Sequence, residues 1–534
     1  TPAPTPSSAK PAPTVAPVAP APPAAKPGEE KPRYGGILSF AMTGSPRSLD
    51  LHQETSSNTM HRAGPHYDTL IQYDPLDQTK IIPDLAERWE VSPDGTVFTF
   101  YLNKGVKFHD GKPLTSEDVR YSLERVRKPP KGVYSPREPE LASASKIEAP
   151  DPDTVRITLS YPTAAFLSLL ANPWHVVMPK HVLEAGGQDA LKMKPVGSGP
   201  FKYVEFMRGV SYTGTRNESY FRKGRPYVDG YVVYDIPDRA AIYAALRTKR
   251  ILMVRLTPMV IPSQAEILRR ELPGKVVLEE APTLSLVPIF LNMKRPPFDN
   301  VKARQAVALA IDRKEFSVVV YEGQQVASGP MAYFGKWGLS KEELDKYPGF
   351  GADPKANLAQ ARKLLSEVTL PKDAKVDILV RSDQAEYAKS AQVLSSALAA
   401  LGIKSTLRLI DDAGYYDLMI KGDFHMSPFS MAFPIDDPDS VLGQLYVTGA
   451  PRNYMGYSNL KVDDLFQKQS REMDPAKRKG MTDEIQRMVL QDVPMVVMGY
   501  RTAIEARWAE VRNWKAPIQW AYGSKLDHVW LAAE

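Results

Sequence analysis

Three histidines in the first part of the chain are the side chains best suited to metal chemistry. His52, His61 and His66 lie close together in the sequence. Their spacing fits no known ligand pattern, and the step from His61 to His66 does not place both on one face of a helix. The chain has no cysteine, which excludes disulfides, thiol catalysis and thiolate metal sites. We therefore expect solvated or core histidines, and no bound metal or cofactor.

The residue sets that catalysis requires are missing from the sequence. A hydrolase needs a nucleophile, a base and a group that orients the base. The chain contains neither Gly-x-Ser-x-Gly nor His-Glu-x-x-His. Gly197-Ser198-Gly199 is followed directly by Pro200, without the Lys-Ser or Lys-Thr pair that holds a phosphate and its metal. The sequence therefore favours a binding protein over an enzyme.

The overall composition is that of a large globular protein with nearly balanced charge. A length of 534 residues suggests two or three domains. The 68 Lys and Arg residues face 62 Asp and Glu residues, and the net charge of +6 is too mild to indicate a nucleic-acid partner. No apolar run approaches the roughly 18 residues that a membrane span needs.

Residues 1–33 differ in composition from the rest of the chain. They are mostly Pro, Ala, Thr and Ser, with no aromatic residue, Leu or Ile. Such a segment buries too little apolar surface to fold, and proline biases it toward an extended conformation of roughly 100 Å at about 3.1 Å per residue. We expect a tether between a membrane anchor and a folded receptor, with any lipidated residue before Thr1. The alternative is an unprocessed or merely tolerated tail.

Residues 83–119 predict a β-hairpin that leads into a helix. Ser-Pro-Asp-Gly at 92–95 has the composition of a tight turn. Thr115 precedes Asp118 by three residues, which is the spacing of a helix capping box. The return strand after the turn has one apolar face at period two: Phe98, Phe100 and Leu102.

The same block carries a resemblance to a known family. It resembles the consensus of the family 5 extracytoplasmic solute-binding proteins, which are the peptide- and nickel-binding receptors of ABC importers. The clearest part is Gly-Val-Lys-Phe-His-Asp-Gly at residues 105–111. The resemblance continues in three more stretches: residues 196–201, 297–306 and 310–313.

The resemblance implies the fold and the division of the chain. The fold is α/β and of the periplasmic-binding-protein type II kind, in which two ligand-enclosing lobes are joined by hinges. An extra α/β domain is inserted into the first lobe. The implied divisions are a disordered tether at 1–33, a discontinuous domain I at 34–72, 197–285 and 499–534, an inserted domain II at 73–196, and domain III at 286–498.

In this family the solute lies in a cleft between domains I and III, and the resemblance implies which residues line it. One set lies in a polar loop of domain I, a second in the wall 428–439 of domain III, and a third on the strand that returns to domain I. The alternative is an ordinary surface loop for the first set and core packing for the third. The residues are Thr55, Ser56, Ser57 and Asn58; Ser430, Met431, Ala432, Phe433, Pro434 and Asp436; and Met498 and Tyr500.

The implied cleft departs from the peptide binders of the family. Those proteins carry an Asp three residues before the Asp-Pro of the wall, and it pairs with the α-amino group of the ligand. This chain has Pro434 there, and Met431 where an aromatic residue is often found. We expect an apolar cleft in which Asp436 or Glu54 could take over the pairing. On the crossover strand the aromatic cluster is also replaced, by Leu286, Val287 and Ile289.

The expected function is capture of a solute without bond chemistry. We expect an extracytoplasmic receptor that closes on a peptide or peptide-like organic solute and delivers it to an ABC transporter permease. One alternative is a receptor for an oligosaccharide or other non-peptide solute, and another is a surface scaffold that kept the fold but not transport. We expect a monomer in the periplasm or on the outer face of the membrane, attached only through an N-terminal anchor and without a nucleic-acid partner.

Overall fold

A computed structural model describes residues 30–255, 260–351, 353–370, 375–382 and 384–533, without the side chains of residues 412 and 413. Most of the expected tether, residues 1–29, lies outside this part. Within it, no helix combines the length and the apolar character that crossing a membrane requires.

The described part contains twenty strands and fifteen helices, besides two short 3-10 turns. The strands are β1 (Ile37–Met42), β2 (Ile71–Tyr73), β3 (Ile81–Pro83), β4 (Ala86–Val91), β5 (Val97–Leu102), β6 (Ala144–Asp151), β7 (Thr154–Leu159), β8 (Phe201–Met207), β9 (Ser211–Arg216), β10 (Gly230–Asp235), β11 (Met253–Val254), β12 (Val276–Leu291), β13 (Gln325–Val326), β14 (Lys375–Arg381), β15 (Lys404–Ile410), β16 (Met426–Pro428), β17 (Met431–Ala432), β18 (Met495–Trp508), β19 (Val511–Arg512) and β20 (Trp530–Leu531). The helices are α1 (Ser57–Ala63), α2 (Ser116–Arg127), α3 (Phe166–Leu170), α4 (Lys180–Gly186), α5 (Arg239–Arg247), α6 (Pro262–Glu271), α7 (Val301–Ala310), α8 (Arg313–Tyr321), α9 (Lys341–Leu344), α10 (Pro354–Ser366), α11 (Ala385–Ala400), α12 (Asp412–Lys421), α13 (Pro438–Leu445), α14 (Leu460–Arg471) and α15 (Pro475–Asp492).

One long mixed sheet runs through most of the molecule. Its strand order is β15-β14-β16-β12-β18-β11-β1-β10-β9-β8, with β13 and β17 paired at its side. At one end β1 is parallel to β10 and β11, and at the other β14 is parallel to β15 and β16. The antiparallel pair of β12 and β18 joins the two ends. This alternation of parallel strands and helices confirms the expected α/β class.

Three of the apolar clusters in the described part define three lobes. Lobe one surrounds β1 and β8–β11, and its core also receives side chains from residues 509–533. Lobe two surrounds a four-stranded antiparallel sheet of order β4-β5-β7-β6 and packs α2 against it. Lobe three surrounds β14–β16 and the helices from α7 to α15. The domain limits given above remain a proposal about where these lobes begin and end.

The hairpin and helix expected at residues 83–119 are confirmed as β4, β5 and α2. Gly95 in the turn has a φ of +68°, a conformation that favours glycine. The apolar face of β5 is buried, and Thr115 and Asp118 form the reciprocal capping box of α2. Three other helices begin at side-chain caps of the residue types that favour helix starts: Asn300 for α7, Asp353 for α10 and Asp474 for α15.

A buried ion pair joins lobe two to the loop after β1. Arg125 of α2 donates to both carboxylate oxygens of Asp50, at 3.2 and 2.7 Å, and both side chains are almost completely buried. Burial alone would raise the pKa of Asp50, but the hydrogen bonds and charge of Arg125 hold it below its ordinary value. The pair therefore fixes the orientation of α2 relative to lobe one.

The first prediction concerns the cost of breaking this ion pair. Arg125→Gln leaves the Asp50 carboxylate buried without its cation, so the free energy of unfolding should fall by roughly 3–5 kcal/mol. The matched variant Arg120→Gln breaks a half-exposed pair with Glu117 and should cost about 1 kcal/mol or less. Urea unfolding followed by tryptophan fluorescence measures both. Equal losses in the two variants would contradict the role given to the buried pair.

Candidate functional site

We expect the cleft where β12 and β18 pass from lobe one to lobe three. The two strands pair from Val276 with Trp508 at one end to Phe290 with Met495 at the other. Their register shifts twice, between residues 282 and 286 and between 287 and 288. Such irregularities bend a strand pair locally. Two strands that cross between lobes at a bend form a natural hinge.

The polar loop of lobe one leads into α1 at the carboxyl end of β1. The Ser56 Oγ accepts a hydrogen bond from the Asn58 amide at 3.1 Å and so caps α1. The Asn58 carbonyl accepts from Arg62 at 2.8 Å, and Arg62 pairs with Asp235 at the end of β10. Thr55 is exposed and Ser57 is half-buried. Open α/β sheets bind ligands at this edge of parallel strands.

The wall of lobe three is a short strand added to β12. Met431 and Ala432 pair with Leu286 and Ser285, and the Phe433 amide donates to the Leu284 carbonyl at 2.9 Å. Met431 and Phe433 are buried, Ala432 is exposed, and Ser430 and Pro434 are half-buried. Ala432 is therefore the exposed residue of β17, between two buried apolar side chains.

The two residues expected on β18 are buried within the core of lobe three. Met498 is fully buried, and its carbonyl accepts a hydrogen bond from the Gln325 side chain at 2.6 Å. Tyr500 donates its hydroxyl proton to the Pro330 carbonyl at 2.8 Å. The burial of Met498 agrees with core packing, which the sequence analysis gave as the alternative to a place in the cleft. Tyr500 also borders Asp436, whose charge affects its hydroxyl.

A C-terminal segment that sequence reasoning did not single out bridges the lobes. The ring of Tyr522 stacks on Tyr73 with centroids 4.6 Å apart. Its hydroxyl donates to the Pro434 carbonyl of lobe three at 3.0 Å. The density of aromatic residues in 514–530, including Trp514, Trp520 and Tyr522, was the available signal, because tyrosine and tryptophan recur at buried contacts with one polar end.

The acidic run at the end of the wall, residues 436–439, contains two carboxylates with structural partners and one without a hydrogen-bond partner in the described part. Asp437 caps α13 and accepts two hydrogen bonds from Arg478, at 2.9 and 2.6 Å. Asp439 accepts from Gln469 and Ser470. Asp436 is different: its Oδ1 is sealed from solvent and has no hydrogen-bond partner among the described residues.

The surroundings of Asp436 make its ionisation costly. The carboxyl lies against Gly335, where a Cβ would have no room. Burial and the charge of Asp437 raise its pKa to about 7, against the opposing charge of Lys336. Tyr73 and Tyr522, beside the lobe contact, also feel its charge. A buried carboxyl with a raised pKa beside a lobe contact would be stabilised in its charged form by a cation.

Glu54, the other proposed partner for a ligand amine, lies in a different environment. Its carbonyl accepts a hydrogen bond from Arg137 of lobe two at 2.6 Å. Burial and the charge of Asp50 raise the pKa of its side chain, against the charges of Arg47, Arg137 and Lys192. The charged residues that act on Glu54 belong to lobes one and two. Pairing of Glu54 with a ligand amine stays a prediction.

The three histidines are core residues in this fold. The His66 ring contacts the Phe201 carbonyl and the Tyr212 hydroxyl at 2.7 Å each, and the His52 ring contacts the Val176 carbonyl at 2.9 Å. Burial lowers the pKa of His66 to about 3 and that of His52 to about 4. Across the described ranges, no three His, Asp or Glu side chains come close enough to hold a metal ion.

Comparison with protein families identifies the fold. Residues 80–453 match the model of the bacterial extracellular solute-binding proteins, family 5. The chain belongs to this family. Members are extracellular by description, and the α/β lobes around a hinge described above are those of a family 5 solute-binding protein.

Three relatives show the kinds of protein to which this chain is similar. It is 26% identical to a dipeptide-binding protein of Escherichia coli, over 89% of this chain and 91% of the relative. It is 28% identical to heme-binding protein A of Haemophilus influenzae, over 81% of this chain and 79% of the relative. A periplasmic binding protein of Helicobacter pylori, solved with the peptide STSA, superposes with a TM-score of 0.75 at 26% identity, covering 93% of this chain and 98% of that one. The expected type II periplasmic-binding-protein fold is thereby confirmed.

The second prediction follows from the pKa of Asp436 in this family 5 cleft. Because the pKa of about 7 in the folded protein exceeds the ordinary 3.8, the folded state holds a proton that the unfolded chain has released. The free energy of unfolding must therefore fall as the pH rises through this window. Asp436→Asn removes this titration. The free energy of unfolding of the variant, relative to that of the wild type, should therefore be roughly 2–3 kcal/mol higher at pH 8 than at pH 5.

Urea unfolding at several pH values between 5 and 8 measures this gain. The exposed Asp464→Asn variant serves as the control and should follow the wild type at every pH. A difference between Asp436→Asn and the wild type that is the same at pH 5 and pH 8 would show that Asp436 ionises normally.

Proposed function

We propose that this protein captures a peptide or peptide-like organic solute outside the cytoplasm and delivers it to an ABC transporter permease. Closure of lobes one and three over the solute is the mechanism, with no bond made or broken. Relatives named as dipeptide-binding proteins, at 26% identity over most of both chains, support the choice of solute. The relative solved with the peptide STSA supports it further.

The observation that carries this proposal is the unpartnered Asp436 carboxyl at the contact between lobes. An ammonium group of the solute would pair with Oδ1, which accepts nothing from the described residues. Asp436 lies two residues after Pro434, whose carbonyl already receives the Tyr522 hydroxyl. We infer that Asp436 takes the place of the amine-binding carboxylate that Pro434 cannot provide. The backbone of the exposed residue Ala432 would then bind the peptide main chain as a neighbouring strand.

We propose that the contacts between the lobes are those of the ligand-bound state. Lobe two contacts lobe three through a hydrogen bond from the Ala164 amide to the Ser470 carbonyl at 2.9 Å. The Arg471 guanidinium lies 4.9 Å from the ring centre of Tyr161. Together with the Tyr522 contact, these interactions hold the cleft shut. We propose that solute binding favours this closed arrangement over an open one.

The remaining expectations complete the proposal. Residues 1–33 would tether the receptor to the membrane through an N-terminal anchor. The protein would act as a monomer. The polar loop at 55–58 and the wall at 430–436 would line the two sides of the cleft.

A non-peptide solute is the second candidate. It is favoured by Pro434, which removes the family's amine-binding carboxylate, and by the 28% identity to heme-binding protein A. On this reading Asp436 would receive a different cation or hydrogen-bond donor of the solute.

The third prediction tests capture itself. Native mass spectrometry of the purified protein should show a co-purified small molecule, or alanine peptides of two to five residues should raise the melting temperature. A peptide at 100 times its Kd should add about 2.7 kcal/mol to the free energy of unfolding. A cleft that stays empty and that no peptide stabilises would contradict solute capture.

The fourth prediction concerns Asp436 as the amine partner. Asp436→Asn should weaken binding of a peptide with a free amino group by about 10- to 100-fold, because a charge-assisted hydrogen bond is lost. Binding of the same peptide with an acetylated amino group should hardly change. Isothermal titration calorimetry measures both, and equal losses for the two peptides would show that Asp436 does not meet the amine.

The fifth prediction concerns closure. Tyr522→Phe removes the hydroxyl that bonds lobe three and should weaken solute affinity by roughly 5- to 10-fold, since one net hydrogen bond of about 1 kcal/mol is lost from the closed state only. The control Tyr457→Phe removes a hydroxyl that bonds Asp492 within lobe three, at 2.7 Å. This control should lower thermal stability but not affinity. Unchanged solute affinity in Tyr522→Phe would show that this contact does not contribute to closure.

A further inference from the structure

Arg255 is a fully buried cation that lacks a hydrogen-bond partner among the described residues. It follows β11 directly, at the carboxyl edge of the parallel strands of lobe one, and none of its surface is exposed. None of its three guanidinium nitrogens forms a hydrogen bond with any residue that the structure describes. Burial of an unpaired charge is strongly unfavourable, because the protein interior does not replace the lost hydration.

Other buried arginines of the chain show what a structural role requires. Each has carboxylate or carbonyl partners at hydrogen-bond distance, so its charge is compensated within the fold. The examples are Arg62 with Asp235, Arg125 with Asp50, Arg313 with the carbonyls of Val497 and Gly349, and Arg478 with Asp437. Arg255 differs from all of them.

Aromatic rings hold the Arg255 guanidinium in place. Its central carbon lies 4.8 Å from the ring centre of Trp514 and 5.5 Å from that of Phe40. Burial lowers its pKa to about 10, against the charge of Glu505, so the guanidinium remains protonated at neutral pH. The Glu505 carboxylate accepts a hydrogen bond from the Trp514 indole at 2.7 Å. The rings fix the position of the cation but leave its hydrogen-bond donors unused.

Two more polar groups, both on α1, lack a hydrogen-bond partner in the described part, and one of them, His61, lies near this cation. His61 is fully buried, its ring centre lies 6.3 Å from that of Phe40, and neither ring nitrogen has a partner in the described part. Burial and the charge of Arg255 lower its pKa well below the ordinary value, so the ring is neutral. The Asn58 Oδ1, one turn earlier on the same face, is also buried without a partner.

We propose that Arg255, His61 and Asn58 form a receptor for a carboxylate of the bound solute. The planar guanidinium presents paired donors that match the two oxygens of a carboxylate. The neutral His61 ring adds one donor, and the Asn58 oxygen accepts an N–H of the solute. This inference rests on the proposed function, because it requires a solute between lobes one and three.

The C-terminal segment connects this receptor to the wall of lobe three. Trp514 contacts Arg255, and Trp520 lies 6.0 Å from the His61 ring. Tyr522, two residues later, bonds the Pro434 carbonyl and feels the charge of Asp436. A solute with an ammonium group and a carboxylate would therefore meet one charged group from each lobe.

Calorimetry with matched peptides tests the receptor. Alanine peptides of two to five residues, as free acids and as C-terminal amides, are titrated into the wild type and into Arg255→Gln, Arg255→Lys and Arg250→Gln. Arg250 is exposed, so its variant is the matched control. The wild type and Arg250→Gln should prefer the free acid about 10-fold or more. Arg255→Gln should lose this preference without weaker binding of the amide, and Arg255→Lys should keep part of it. An acid preference that survives in Arg255→Gln would overturn the inference.

A second measurement separates this inference from the proposed function. Sodium acetate is titrated into the protein while tryptophan fluorescence is recorded, and sodium chloride at equal ionic strength is the control. Fluorescence reports on the site because Trp514 contacts Arg255. A saturable response in the wild type that is absent in Arg255→Gln supports the receptor even if no peptide binds, and in that case only the peptide proposal fails. If no peptide binds and acetate acts equally on both proteins, the receptor is overturned as well.

Discussion

The structure depends on two long antiparallel strands, β12 and β18, that belong to two lobes at once. Backbone hydrogen bonds run along almost their whole length, so neither lobe can separate from the other. The register shifts near residues 282–288 interrupt this ladder at the boundary between the lobes. A continuous ladder would make the molecule rigid, whereas an interrupted one leaves a place where φ and ψ can change at low cost. We propose that closure over a solute bends the strand pair at this interruption.

We propose that four of the residues with buried polar atoms lacking a hydrogen-bond partner in the described part face the cleft from its two sides. Asp436 contributes a carboxyl from lobe three, and Arg255, His61 and Asn58 contribute a cation and neutral groups from lobe one. A fold that served only stability would pair such groups, as it does with Arg125 and Asp50. Unpaired buried groups are costly, and proteins retain them where a ligand completes their hydrogen bonds. We therefore propose a solute that carries both charges.

Local sequence signals predicted the scaffold well and the site incompletely. The hairpin turn at Gly95, the capping box of Thr115 and the caps of α7, α10 and α15 follow from short-range rules, and so do the elements that they begin. The residues named for the cleft remain predictions about ligand contact. Asp436 could be found from the sequence, because it is an acidic residue two positions after Pro434. Arg255 and Tyr522 carried no such sign, because their importance depends on residues far away in the sequence. Arg255 contacts Trp514, and Tyr522 contacts Pro434 and Tyr73.

The central claim is that lobes one and three close on a solute, carrying lobe two toward lobe three. The chain has no cysteine, so two can be introduced without background labelling. Spin labels at exposed positions 104 in lobe two and 477 in lobe three allow their separation to be measured by pulsed electron resonance, with and without a saturating solute. The account predicts a broad distribution of longer distances that collapses to one short distance when solute is added. A distribution that is identical in both conditions, with binding verified on the labelled protein, would contradict it.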